Sequence, residues 1–239
     1  MKLFQKKVGE AQVITNNRRY VLSEKSNFSV TEAYKTLRTN VFFYLRGEGC
    51  KKLCITSDGA GEGKSITALN LSISFAQAGK RVLLLEADMR RPSAGRLLKM
   101  KSAPGLSDML ASLAGEQEAV HKDVFPGLDI LFAGEIPPNP SELLQSKEMD
   151  ALLQKFSEKY DYIIVDTPPL GVVTDASIVA SKVDGTLLVV RQNYVKRTAV
   201  SKNIKQLEIA GANIIGFVYN GQVRQNVGRR YHYYKYEMR

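Results

Sequence analysis

The segment GAGEGKS, running from Gly59 to Ser65, places three glycines, a lysine and a serine where they can act together on phosphate oxygens. Successive backbone N–H groups of Gly59, Ala60, Gly61, Glu62 and Gly63 can point into one concavity. Lys64 can then reach the β- and γ-phosphate oxygens of a nucleotide, and the Ser65 hydroxyl can ligate magnesium. A helix opening at this point adds its positive end, so the nucleotide-binding set runs through Ile66. The strict pattern G-x-x-x-x-G-K-[ST] has glycine where this chain has Asp58, so the loop is a variant. Magnesium takes hard oxygen ligands. Glu86 and Asp88 in LLLEADMRRP, and Asp166 in YIIVDTPP, stand at the ends of two apolar runs and are the acidic candidates. Taken singly, each could be a solvated strand-end acid; beside a phosphate loop on a third strand they read as one site.

These groups need a scaffold that brings several strand ends to one edge. KKLCIT, 51 to 56, reads as a strand followed by the glycine loop and by a helical pattern through Ile66, Leu69, Ile73 and Ala76, ending at Gly79. RVLLLEAD, 81 to 88, is a continuous apolar run of the kind found in strands covered on both faces. Further strands are expected at 128 to 132, 162 to 165, 186 to 190 and 214 to 218, with helices at 148 to 160 and 198 to 210. The alternation predicts an α/β fold, a doubly wound and mainly parallel sheet of the P-loop NTPase kind. Ahead of it, SVTEAYKTLRTNVFFYL predicts an amphipathic helix over 29 to 46. Val30, Ala33, Leu37 and Val41 would line its apolar stripe, and Ser29 with Glu32 would form a capping box. Asn220 follows the last expected strand at the same sheet edge; it is a candidate adenine contact, or simply the first residue of an Asn-Gly turn.

The 239 residues suit one domain with a full core: residues 29 to 220 as the P-loop domain, 1 to 28 as a basic arm and 221 to 239 as a flexible tail. No apolar run reaches the roughly 18 to 20 residues needed to cross a bilayer, and the start lacks a secretory h-region, which points to the cytoplasm. Cys50 and Cys54 are too few for a disulfide framework, and Cys54 reads as a small buried apolar residue. The net charge of +10 is uneven. Residues 1 to 52 hold 11 Lys or Arg against 4 acids, residues 221 to 239 hold 5 against 1, and the middle holds 18 against 19. Basic ends on a neutral body suggest arms that meet something acidic, or plain solubility; they do not describe a nucleic-acid groove.

Taken together, EAYKTLRTN at 32 to 40, ITSDGAGEGKS at 55 to 65, LLLEADMRRP at 83 to 92, PPNPSELLQS at 137 to 146, VDTPP at 165 to 169 and the terminal YHYYKY resemble the bacterial tyrosine kinases of capsular and exopolysaccharide synthesis. The resemblance implies ATP and Mg2+ as cofactors, Asp88 and Asp166 as magnesium holders, and Lys64 as a catalytic cation. It further implies an acid at Glu86 that orients or deprotonates the attacking tyrosine. The family usually has aspartate at that place, and the longer glutamate implies a slower base. The resemblance is to the split form of the family, recruited to the inner face of the membrane by a membrane-bound activator and paired with a cognate phosphotyrosine phosphatase. Glu32, Lys35 and Arg38 resemble its oligomerisation motif, implying a ring-like homo-oligomer; solvated helix charges are the plain alternative.

Within that reading, Tyr231, Tyr233, Tyr234 and Tyr236 become phosphoacceptors, modified in trans by a neighbouring subunit. Four phosphates of about −1.5 to −2 charge each would invert the basic tail and release it from an acidic site. Two other readings share the loop, Asp88 and Asp166: a partition or division-site ATPase, and a non-enzymatic nucleotide-binding scaffold.

Overall fold

The computed structural model describes residues 20–221. The four tail tyrosines and the arm from Lys2 to Arg19 lie outside the described residues. Among the described residues the elements are α1 (Phe28–Tyr44), β1 (Lys51–Ser57), α2 (Lys64–Ala76), β2 (Val82–Glu86), α3 (Ala94–Leu98), α4 (Leu106–Leu110), α5 (Glu116–Ala119), β3 (Val120–Phe125), β4 (Leu128–Leu131), α6 (Pro140–Gln145), α7 (Lys147–Ser157), β5 (Tyr162–Asp166), α8 (Asp175–Ala180), β6 (Gly185–Arg191), α9 (Arg197–Ile209) and β7 (Ile214–Asn220). They build a seven-stranded sheet in the order β3-β4-β2-β5-β1-β6-β7. Every neighbouring pair is parallel except β3 with β4.

The central strands read as unbroken apolar runs because both of their faces are covered. Leu83 and Leu85 of β2, with Ile163 and Val165 of β5, face the layer built from α4, α7 and α8. Their neighbours Val82, Leu84, Tyr162 and Ile164 face α1, α2 and α3. Successive side chains of a strand point to opposite faces, so one short run fills two cores. Cys54 lies in β1, wholly buried, with its thiol pushed up to about 12 chiefly by burial.

Three expectations about the N-terminal part are corrected. Asn27, not Ser29, caps α1: its side chain accepts from Ser29 N at 3.1 Å, so the capping box does not form. The buried stripe of α1 is shifted, too. Tyr34, Leu37, Val41 and Leu45 pack on the core, while Val30 and Ala33 are exposed. Finally, the boundary of the arm at residue 28 does not hold, since Val21 and Leu22 are buried. Asn70 of α2 pins them: its Oδ1 accepts from Leu22 N and its Nδ2 donates to Tyr20 O, both at 2.8 Å.

Replacing Asn70 with alanine removes both bonds and strands a buried backbone N–H, a change of about 1–3 kcal/mol. For a domain of this size each kcal/mol lowers Tm by roughly 2–4 °C. Thermal unfolding of Asn70→Ala is therefore expected to begin several degrees early, and an unchanged Tm would show that the 20–22 segment contributes nothing to the core.

Candidate functional site

The sheet order puts the C-terminal ends of β1, β2 and β5 side by side, with β1 registered against β5 and β5 against β2 up to the pair Glu86 and Asp166. Strand ends in an open parallel sheet form a crevice where the strand order reverses, and ligands bind there. Beyond the strands the segments stay joined: Ala87 N donates to Asp166 O at 2.8 Å, Leu170 N to Ser57 O at 2.8 Å and Gly171 N to Asp58 O at 2.9 Å. The two prolines after β5 end the strand but leave its continuation alongside the glycine loop.

Four predicted side chains meet at this edge. Lys64 Nζ lies 2.8 Å from Asp88 Oδ2, 3.4 Å from Asp166 Oδ1 and 3.2 Å from Ser65 Oγ. All three charged groups are buried. Burial alone would lower the lysine's proton affinity, but Asp166 and Asp88 together outweigh it and raise its pKa. Burial likewise pushes the Asp166 carboxyl up, with Lys64 and Ser65 opposing. Two carboxylates around one ammonium leave the cluster one positive charge short, and both shifts run in the proton-retaining direction. Asp166 Oδ2 is buried with no hydrogen-bond partner among the described residues. An orphaned carboxylate oxygen beside a serine hydroxyl and a second carboxylate is a donor set that fits a hard divalent cation.

The loop above the cluster is braced from several sides. Gly63 sits at φ +95°, and a Cβ there would lie 2.2 Å from Asn220 Nδ2. Only glycine permits both the left-handed turn and that approach. Asn220 is at the sheet edge as expected, and its amide donates to Glu62 O at 2.8 Å. Glu62 folds back, accepting from Gly59 N and, at 3.2 Å, from Arg191 N. Arg191 also donates to Gly61 O and Tyr194 to Ala60 O. Asp58 needs no glycine conformation. Its carboxylate accepts from Asn203 Nδ2 of α9 at 2.9 Å, and its backbone runs against Gly171. The departure from the strict motif is thus an anchor.

Two predicted groups stand elsewhere than expected. Glu86 is wholly buried, with Oε1 accepting from Ser93 N (2.5 Å) and Ala94 N (2.7 Å) and Oε2 from Ala133 N (3.3 Å). Its carboxylate is engaged by three backbone amides, and burial with the nearby Asp166 pushes its pKa up. In α1, Glu32 and Lys35 pair with each other at 2.8 Å, and Arg38 donates to Ser74 O at 2.6 Å, so the three charges are engaged within the chain.

Residues missed in the sequence complete the surroundings. Arg90 forks onto Asp175 through Nε (2.8 Å) and Nη2 (3.1 Å) and reaches Ser141 Oγ at 2.9 Å, while Ser141 Oγ donates to Asp175. This ties the segment after β2 to α6 and α8. Arg90 lies two residues from Asp88 in the same motif, a signal that was readable; Asp175, Asn203 and Tyr194 gave none.

A phosphate loop between strand and helix, with two acids on adjacent strand ends, defines the class of P-loop nucleotide-binding proteins. Residues 50–214 match the family model described as AAA domain. The chain is 38% identical over 192 residues to "Tyrosine-protein kinase YwqD" of Bacillus subtilis (strain 168), covering 80% of this chain and 81% of that one. It is 37% identical over 209 residues to "Putative tyrosine-protein kinase EpsB" of Ralstonia solanacearum, covering 86% of this chain but only 28% of that longer protein. "The kinase domain of Escherichia coli tyrosine kinase ETK" superposes with a TM-score of 0.79 at 35% identity, covering 83% of this chain and 78% of that one. The chain belongs to the bacterial tyrosine-protein kinase family within the AAA-domain P-loop class.

Asp58→Gly would restore the strict motif and remove the Asn203 anchor, a loss of about 1–3 kcal/mol. The expected outcome is a lower Tm and Mg·ADP binding no tighter than that of the unaltered chain. Calorimetry showing tighter binding would mean that Asp58 restrains the loop from a better cradle.

Proposed function

We propose that this chain transfers the γ-phosphoryl group of ATP to tyrosine hydroxyls, among them Tyr231, Tyr233, Tyr234 and Tyr236 of its own tail. The observation that carries the reading is the convergence of Lys64, Ser65, Asp88 and Asp166 at the C-terminal edge of a sheet whose family is that of tyrosine kinases. Backbone N–H groups from Ala60 to Gly63, with Ser65 and Ile66 behind them, form the phosphate cradle, and that of Gly59 joins them when the Glu62 carboxylate releases it. Lys64 exchanges its two carboxylates for β- and γ-phosphate oxygens as the nucleotide enters. Ser65, Asp88 and Asp166 are the side chains that would hold Mg2+. When bound, magnesium neutralises charge on the phosphate oxygens. The tyrosine oxygen forms the new bond to phosphorus as the bond to ADP breaks, and the hydroxyl proton passes to solvent water. Positioning and charge neutralisation supply most of the acceleration for such a loose transition state. Asn220, which braces the loop, would contact the adenine base as well.

Among the described residues no helix is long and apolar enough to cross a membrane. Recruitment to the inner membrane face by a membrane-bound activator, opposition by a phosphotyrosine phosphatase, assembly into a ring and control of capsular or exopolysaccharide export complete the proposal. The exposed Phe42, Phe43 and Tyr44 of α1 support self-association more directly than the engaged charges of that helix do.

Incubation with labelled ATP and Mg2+, followed by phosphotyrosine mapping, tests the reading. Lys64→Met is expected to reduce labelling by about 10²-fold or more. Replacing all four tail tyrosines with phenylalanine is expected to remove label from the tail while nucleotide binding persists. ATP hydrolysis with no phosphotyrosine in the unaltered chain would favour the partition-type ATPase; binding with neither outcome would favour a scaffold. A second prediction concerns the charge switch: chains lacking residues 229–239 should assemble more stably than phosphorylated ones. Equal masses by light scattering would remove the switch.

A further inference from the structure

We infer that Glu86 is a positioning residue for the turn that carries Asp88, and that it does not accept the proton of the attacking tyrosine. The inference rests on the kinase reading only for its rate measurement; the rest concerns the turn itself.

The chain leaves β2 at Glu86 and reaches α3 at Ala94, and every part of the excursion is tied. At one end the Glu86 carboxylate accepts from Ser93 N and Ala94 N, seven and eight residues onward. It also accepts from Ala133 N, beyond the end of neighbouring β4. Ala87 N is bound to Asp166 O. Asp88 Oδ1 accepts from Arg91 N at 3.0 Å, leaving Oδ2 directed at Lys64. Arg90 is clamped to Asp175 and Ser141. The Glu86 carboxylate closes this loop from within, at 0% exposure. A base must come within roughly 2.6–3.2 Å of the hydroxyl it serves. The amides of Ser93, Ala94 and Ala133 already hold the carboxylate, and freeing it to serve a hydroxyl would leave all three unpaired.

The length of the side chain follows from the same geometry. Its extra methylene extends the reach by about 1.5 Å over aspartate. Bonds of 2.5 and 2.7 Å to amides on a returning segment would open well past hydrogen-bond distance if the carboxylate were withdrawn that far. Glutamate is therefore fitted to the turn of this chain, not a poorer copy of an aspartate base.

The test uses the full chain and its Glu86→Gln and Glu86→Asp variants. It measures the Mg2+ dependence of ADP binding by calorimetry, kcat and KM for phosphotyrosine formation, and hydrogen exchange at the amides of Ser93, Ala94 and Ala133. Supporting groups around a metal site typically change metal affinity by about 10–100-fold. Both variants are expected to need about tenfold more Mg2+ for ADP binding, Glu86→Asp at least as much as Glu86→Gln, with kcat at saturating Mg2+ falling less than about tenfold for Glu86→Gln. The three amides should be protected in the unaltered chain and exchange faster in the variants. Loss of a general base would instead lower kcat by about 10²–10⁴-fold. The inference is overturned if Glu86→Asp equals or exceeds the unaltered rate while Glu86→Gln loses that much at unchanged Mg2+ dependence. It also falls if neither variant alters the Mg2+ dependence. Should a variant fail to fold, rapid exchange of the three amides in the unaltered chain would overturn the inference by itself, and protection would support it. If the unaltered chain forms no phosphotyrosine, the kinase reading fails while the calorimetry and exchange results still decide the role of Glu86.

Discussion

The arrangement depends on one buried ammonium. Lys64 sits between Asp88 and Asp166, which come from two different strand ends, and no two of the three are neighbours in sequence. A buried carboxylate without a partner is costly, so the lysine is what allows both acids to remain close together out of water. The same lysine begins α2 directly after the left-handed Gly63. Moving Lys64 therefore means moving the loop, the helix and two strand ends together.

That coupling explains why the surroundings are so heavily tied. On one side Asn220, Arg191, Tyr194 and Asn203 hold the phosphate loop from β6, β7, α9 and the turn between β6 and α9. On the other, Glu86, Arg90 and Asp175 hold the turn with Asp88. A phosphoryl transfer that relies on placement, with little covalent work by the protein, gains from supports of this kind. The hydrogen bonds chiefly join segments far apart in sequence, so the site's rigidity is a property of the assembled sheet edge and not of the loop alone.

The central sheet was readable because its strands are covered on both faces, which writes continuous apolar runs such as VLLLE and YIIVD into the chain. β3 was not: VHKDVF is only partly buried at the sheet's edge and carries three charged or imidazole side chains, so no run marks it. The start of α1 was misplaced for a local reason. Ser29 with Glu32 has the spacing of a capping box, but Asn27 two residues earlier captures the amide of Ser29 itself. Likewise Val21 and Leu22 looked like part of a basic arm, since the contact that ties their segment down is with Asn70, about fifty residues away.

By itself the sequence determined the phosphate loop, the strand-helix order and which acids end which strands, because each of these is written in residue types a few positions apart and follows from backbone geometry and burial. Only the tertiary structure decided which of those acids meet the lysine of the phosphate loop. Asp88 and Glu86 are two residues apart at the end of one strand, yet one carboxylate meets Lys64 and the other meets three amides. The direction of a side chain at a strand end is set by the partners that surround it. Those partners, Ser93, Ala94 and Ala133 for one and Lys64 and Arg91 for the other, come together only when the chain has folded back on itself.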